Sequence, residues 1–397
     1  MTLLAQHGWG KSDKIDRGIA SGTLSGVILS PRDESPTNLA AYAQALREDN
    51  RDLTVFVDPQ FYATTVTNPR AGRLPDYPYF TAEMTYRDFV GATPISQIVR
   101  SVIDHQIALR VSHICAPVVA FDSFGDRWNS VALSMAAEAI TYYATVDDDR
   151  PLLVSQVINE NAFRSNPEFE EYLNIVTDFD CDGFYILLRR TDSGYRQNME
   201  SNLLSAMLYM THVLRTLNEF DVYLGYMDFL GIPMHAAGAT GTACGWSLGL
   251  RRFTFARFEQ SSGGRPPRDR YSSLPLLNSI FVNPELDNIE RADMLGDVLT
   301  GTAHDGALNT RPPSRSPWPP DVAALHHWET LTTGIRQVSA VANPRDRLDQ
   351  MIAMVTSSSK LYERLSRAGQ RLDGPSGPSH LNQWGRAIDD FRDKAGV

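Results

Sequence analysis

"RPLLVSQVINENAFRSNPEFEEYLNIVTDFDCDGFYILLRR", residues 150–190, carries the pattern that decides the fold. Its two ends, "RPLLVSQVINE" and "CDGFYILLRR", are apolar runs without polar alternation, as in strands covered on both faces. Between them "PEFEEYLNIVTD" reads as a helix. A strand, a helix and a second buried strand make one crossover unit of a parallel sheet.

The same alternation extends in both directions. Upstream, "SGVILSP" is followed by "SPTNLAAYAQALRED", where Ser35 can cap and Pro36 suits the first helical position. "LTVFVDPQFY" precedes a long loop rich in Pro, Tyr and Gly. "TPISQIVRSVIDHQIALR" repeats the start signal with Thr93 and Pro94, and its Ile95, Ile98, Val99, Val102 and Ile103 have helical spacing. "APVVAFDSF" and a helix around "NSVALSMAAEAITYYA" complete that side. Downstream come the helix "NLLSAMLYMTHVLRTLNEF", the strand "DVYLGYMDF" and the small-residue segment "HAAGATGTACGW", residues 235–246.

Six strands are plain, "ATGTACGW" makes a seventh and "YSSLPLLNSIF" an eighth. The expected fold is therefore α/β: a (β/α)8 TIM-type barrel with an additional C-terminal helical region. A dinucleotide-binding sheet would place a glycine fingerprint after its first strand, and "ILSPRDES" has none. Little chain separates "GYMDF" from "AAGATG", so the sixth helix is short. Expected boundaries are residues 1–308 for the barrel, 309–320 for the Pro-rich linker "NTRPPSRSPWPP", and 321–397 for helices that pack on the barrel or form a small bundle.

Bulk properties narrow the function. The 397 residues carry a net charge of −10, with 42% hydrophobic and 21% charged residues, the balance of an ordinary globule. That charge argues against broad nonspecific nucleic-acid binding. No apolar stretch reaches membrane-spanning length, and "MTLLAQHGWGKSDKIDRG" lacks the apolar core of a signal peptide. Cys115, Cys181 and Cys244 are widely spaced and odd in number, so they are expected to be buried thiols in a reducing cytoplasm, with no structural zinc.

In a barrel the chemistry sits at the carboxyl ends of the strands. Those ends are Asp58, Asp122, Gln156 with Asn159 and Glu160, Arg189 with Arg190, and Asp228. Converging carboxylates can act as acid/base pairs or hold a divalent cation; each can equally cap a following helix. His235 opens the small-residue segment, where Gly238, Gly241 and Gly245 would let backbone N–H groups approach a ligand. The other reading of that segment is a closely packed barrel strand. Residues 245–275 add Arg251, Arg252, Arg257, Arg265, Arg268 and Arg270 against Glu259 and Asp269, an excess that suits a phosphate. No metalloprotease helix, no zinc-spaced Cys/His set and no nucleophile elbow is present.

The strand ends resemble those of the tRNA-guanine transglycosylase superfamily. "LTVFVDPQFY" is similar to that family's second strand, "VVAFDSF" to its "AFD" strand, and "PLLVSQVIN" has a Gln where the family reads its base. "DFDCDGFYILL" is similar to its "DGYAIGG" run and "VYLGYMDF" to its "YLMGVG" strand. The likeness covers about residues 50–250. It implies that Asp58 is an acid/base group and that Asp122 and Gln156 read a purine-like edge. The family's nucleophilic Asp has no counterpart in "ATGTACGW", which leaves Asp228 as the nearest candidate; its Cys-x-Cys-x-x-Cys zinc site is absent, and Leu187 and Leu188 stand where it has two glycines.

The leading expectation is thus a barrel that binds and acts on a nucleobase- or phosphate-containing substrate. Asp58 and Asp228 would be catalytic, and Asp122, Gln156, Glu160, Arg189, His235, Gly238, Gly241, Arg251 and Arg252 would hold substrate. The ligand would be a nucleobase, nucleotide or nucleic acid, with no assigned cofactor. Two other readings remain: a different barrel chemistry on a small anionic metabolite, with or without a metal, using Glu160 and the same acids, or a silent barrel docking a protein partner through C-terminal helices that expose Trp318, Trp328 and Trp384.

Overall fold

A computed structural model describes residues 2–191, 197–259 and 268–397. Its eight-stranded parallel sheet runs in the order β3-β2-β1-β8-β7-β6-β5-β4. The strands are β1 (Thr2–Gln6), β2 (Gly26–Leu29), β3 (Thr54–Val57), β4 (Ile114–Cys115), β5 (Leu152–Asn159), β6 (Gly183–Arg189), β7 (Asp221–Leu224) and β8 (Gly241–Cys244). Ser112 brings the two end strands together: its N–H donates to Val55 O at 2.6 Å, and its hydroxyl accepts the Val55 N–H at 2.7 Å. The result is a nearly closed (β/α)8 TIM-type barrel. Between the strands run α1 (Lys14–Ala20), α2 (Pro36–Asp49), α3 (Ala92–Ile107), α4 (Arg127–Tyr143), α5 (Asn166–Thr177), α6 (Ser201–His212) and the one-and-a-half-turn α7 (Gly231–Ala236).

Strand register differs from the sequence expectation at both ends. The first strand is Thr2–Gln6, which pairs with β2 on one side and β8 on the other. "YSSLPLLNSIF" lies outside the barrel as an antiparallel hairpin of β9 (Arg270–Ser273) and β10 (Asn278–Phe281). Its apolar centre, Leu274–Leu277, is the turn, with Leu277 at φ +49°. At the helix starts, Ser35 does cap α2, accepting the Asn38 N–H. Thr93 caps nothing, because α3 begins at Ala92 behind Gly91 at φ +97°.

The interior is aromatic. Register places Gln6, Ile28 and Phe56 on one face, and Tyr185, Tyr223 and Gly241 likewise. The Phe56 ring is 5.3 Å from Tyr185 and 5.5 Å from Tyr223, so this shared face is the barrel's inside. A Cβ on Gly241 would stand 2.8 Å from the Tyr223 ring. "ATGTACGW" is small because tyrosine fills the space beside it.

Beyond the hairpin, the short α8 (Asp287–Arg291) and α9 (Leu295–Val298) lead through residues 309–319 to α10 (Pro320–Ser339), α11 (Pro344–Arg367) and α12 (Ser379–Ala395). α10 packs on β1, β9, α1 and α7, and α12 packs on α6. The three tryptophans expected to be exposed are instead 6%, 0% and 0% accessible at Trp318, Trp328 and Trp384. Each indole N–H is spent on a carbonyl: Arg270 O at 3.1 Å, Cys244 O at 2.8 Å and Gln197 O at 3.3 Å, respectively. Trp328 joins α10 to the barrel, Trp384 joins α12 to the segment before α6, and Trp318 joins the chain ahead of α10 to the hairpin. No described helix is long and apolar enough to cross a membrane.

Candidate active site

Strand parity decides which strand-end residues meet. β3 turns Phe56 inward, so Asp58, two residues on, also points in. On β1 the same rule brings in Gln6, and on β6 Tyr185. Asp58 is buried at the head of the throat, where Tyr62 Oη donates to Oδ2 at 2.9 Å, Tyr185 Oη at 3.3 Å, and the Gln60 N–H to Oδ1 at 3.1 Å. Burial pushes its pKa up to about 6, against those hydrogen bonds and Arg257, which pull it down. The buried Gln6 amide lies beside the Tyr185 hydroxyl without a well-formed hydrogen bond, and the buried Ser155 hydroxyl has no partner.

Residues 245–259, the segment after β8, close over this throat. Phe253, Phe255 and Phe258 surround Tyr62 at ring distances of 5.2, 6.2 and 5.7 Å. Tyr62 therefore links the closing loop to Asp58. Arg257 anchors the loop from within: it pairs with Asp33, itself held by Ser30 Oγ at 2.8 Å, and reaches Tyr226 Oη at 3.3 Å. Backbone bonds from Arg190 N to Phe253 O at 2.9 Å and from Arg70 N to Phe258 O at 2.6 Å tie the loop to two further walls.

Other expected site residues lie elsewhere. Asp122 and Arg189 form an exposed ion pair on the rim, with the Asn159 amide donating to Asp122 at 2.8 Å and Arg189 over the Phe255 ring at 4.6 Å. Glu160 pairs with Arg190 and Thr191 beside a cavity of about 390 Å³ that Gln383 of α12 also lines. Gln156 is corrected. It pairs in register with Ile186, one residue from the inward Tyr185, so it faces the helices and not the mouth.

The small-residue segment is likewise not a ligand cradle at the mouth. α7 returns the chain to the opposite end of the barrel, where Gly238, at φ +112°, abuts Thr216 and Thr240 Oγ1 bonds Asp221 at the start of β7. His235 is buried between Ala239 O at 3.1 Å and Thr242 Oγ1 at 3.2 Å, and burial holds its pKa near 3. The arginines also disperse. Arg251 serves the carbonyls of Gly245 and Trp246, Arg268 and Arg270 stack on Phe281 of the hairpin, and Arg252 borders the small cavity beside Asp228. Arg265 lies outside the described residues.

Asp228 belongs to a second cluster, between the barrel and α10. It sits at φ +43° after β7, accepts the Gln197 amide at 2.9 Å, and lies 3.3 Å from His327 Nε2. That nitrogen is also 3.3 Å from Cys244 Sγ, while Ser272 Oγ meets its Nδ1 at 2.7 Å. Burial would raise the Asp228 pKa, but His327, Arg251 and Gln197 outweigh it and bring it to about 2. Burial lowers His327 to about 4, so at neutral pH the ring is uncharged and meets Asp228 as an N–H donor.

Sequence reading missed Gln6, Asp33, Tyr62, Tyr185 and His327, and it placed Arg257 in a phosphate-binding excess when its partner is Asp33. The inward parity of Tyr185 was legible once β6 was drawn; Gln6 depends on β1, Asp33 and Tyr62 on the closing loop that packs against them, and His327 on α10. No family model and no curated protein matches the chain.

Proposed function

We propose that the protein is a barrel enzyme acting on a nucleobase-like, planar heteroaromatic substrate, in a manner resembling base-exchanging transglycosylases. The observation that carries this reading is Asp58: a sealed carboxyl whose pKa is lifted to about 6, beside a buried amide without a good partner. A group poised near neutral pH can both take and return a proton. Gln6 and Ser155 supply directional donors and acceptors of the kind that read a base edge, and Tyr62, Phe253 and Tyr226 give flat apolar walls. The phosphate half of the expectation has less support. A phosphate at Arg257, Arg189 or Arg190 would have to displace Asp33, Asp122 or Glu160.

Access requires the 245–259 loop to lift, which is how barrel enzymes exclude water during the reaction. The test is a binding panel of purines, pteridines, nucleosides and nucleotides read by thermal shift and calorimetry, alongside extraction of copurifying small molecules. A planar base should bind the wild type and be lost in Asp58→Asn and Gln6→Leu. A ligand whose affinity ignores both substitutions refutes the assignment.

A further inference from the structure

We infer that Asp228, Cys244 and His327 form a binding site for one zinc-class divalent cation, with a thiolate, an imidazole and a carboxylate as ligands. They are the one such trio among the described residues, with all three donor atoms buried and within 4.8 Å of one another. Tetrahedral zinc with Zn–S ~2.3 Å and Zn–N or Zn–O ~2.1 Å sets donor–donor edges of roughly 3.3–3.6 Å. The His327–Asp228 and His327–Cys244 edges are both already 3.3 Å.

The surroundings hold the donors in place as metal sites do. Ser272 Oγ fixes Nδ1 of His327 and aims Nε2 into the cluster, and Gln197 holds the second Asp228 oxygen. Asp228 takes a left-handed backbone conformation that a non-glycine residue adopts at a cost, so its placement is maintained by its neighbours. Asp228 also forms a wall of a cavity of about 20 Å³, room for one water beside the carboxylate, though neither Cys244 nor His327 lines it. The thiol's hydrogen-bond contacts are the Gly245 carbonyl at 3.7 Å and His327 Nε2 at 3.3 Å.

Binding balances simply. The Cys244 thiol gives up its proton and binds as thiolate, while the His327 ring moves its proton from Nε2 to Nδ1, where Ser272 Oγ accepts it. Ser272 in turn bonds Ser279 Oγ at 3.1 Å. One proton is released per cation, and the cation, thiolate and carboxylate together are neutral. Burial and the Asp228 carboxylate push the Cys244 thiol well up, and Arg251, on the Gly245 and Trp246 carbonyls, is the neighbouring cation that works against them. Positions 228, 244 and 327 match no zinc spacing, which is why the sequence suggested no zinc.

The full chain should be purified from cells grown with zinc or with cobalt. Zinc-grown protein should carry about one zinc per chain, and cobalt-grown protein should show the near-ultraviolet thiolate-to-cobalt band and visible bands of a tetrahedral site. Cys244→Ala and His327→Gln should reduce the metal at least about tenfold, while Cys115→Ser with Cys181→Ser should keep it. Wild-type protein holding less than about a tenth of a metal per chain under both conditions overturns the site, as does a thiolate band that persists in Cys244→Ala. Should the single variants not fold, the doubly substituted Cys115/Cys181 protein decides: Cys244 is then the sole cysteine, and absence of the band overturns the proposal.

Discussion

Asp58→Asn should stabilise the protein at alkaline pH and leave it unchanged in acid. The carboxyl is fully enclosed, and its pKa rises from 3.8 to about 6 on folding. A group raised in the folded state contributes stability that is complete below its unfolded value and is lost as pH rises through its folded value. Here the loss falls between about pH 4 and pH 6 and amounts to two units at 1.36 kcal/mol each, about 3 kcal/mol. Asparagine resembles the protonated acid: its oxygen can accept from Tyr62, and its amide can donate to the Tyr185 oxygen. The stronger donation of Tyr62 and Gln60 to the carboxylate is already contained in the pKa of about 6. Urea unfolding of both proteins at about pH 5 and pH 8 gives the difference directly, because every other titrating group cancels. The variant's advantage should grow by about 1.4 kcal/mol between the two pH values, since about half of the loss has already occurred at pH 5. If the advantage shrinks with rising pH, Asp58 is an ordinary paired carboxylate and the acid/base argument fails.

Arg257→Met should cost about 3 kcal/mol by urea unfolding, because it leaves Asp33 buried with Arg32 as its remaining cationic partner; adding Asp33→Asn should restore most of it. The same single variant should expose the chain around residues 246–258 to limited proteolysis far faster than wild type. Gly241→Ala should lower stability by about 1–3 kcal/mol through collision with the Tyr223 ring, measured by thermal melting, and inorganic phosphate should not offset the loss. Asp122→Ala, on the solvent-exposed rim, should change stability by less than about 1 kcal/mol, and a larger loss would show that the rim pair braces the loop.

The architecture was legible because strands covered on both faces write themselves as unbroken apolar runs, and residues 150–190 contain two of them around a helix. The two misplacements have different causes. "TLLAQ" is five residues followed by the polar "HGWGKSDK", so no strand–helix alternation marks it, while the four turn residues Leu274–Leu277 are as apolar as a strand. Apolarity reports burial; it does not report extension. The three tryptophans show the converse: Trp328 and Trp384 lie in polar-looking helices and Trp318 in the Pro-rich segment, yet all are buried, each indole reaching a carbonyl of the barrel, a loop or the hairpin.

Side-chain direction explains what was recovered of the site and what was not. Position at a strand end was enough to place Asp58 in the throat, because its turn holds the carboxyl on the inward side. It was not enough for Gln156, whose register partner Ile186 faces the helices, nor for His235, which the short α7 carries to the far end of the barrel. The groups that convert Asp58 from a strand-end acid into an enclosed one, Tyr62 and the aromatic loop above it, come from chain segments with no strand or helix period to read. The same is true of Asp228. Alone it is another strand-end carboxylate; it becomes a candidate ligand when β8 brings Cys244 to its side and a helix 99 residues later in sequence brings His327 against both. The sequence locates acids one at a time, and their chemistry is set by which neighbours the fold delivers.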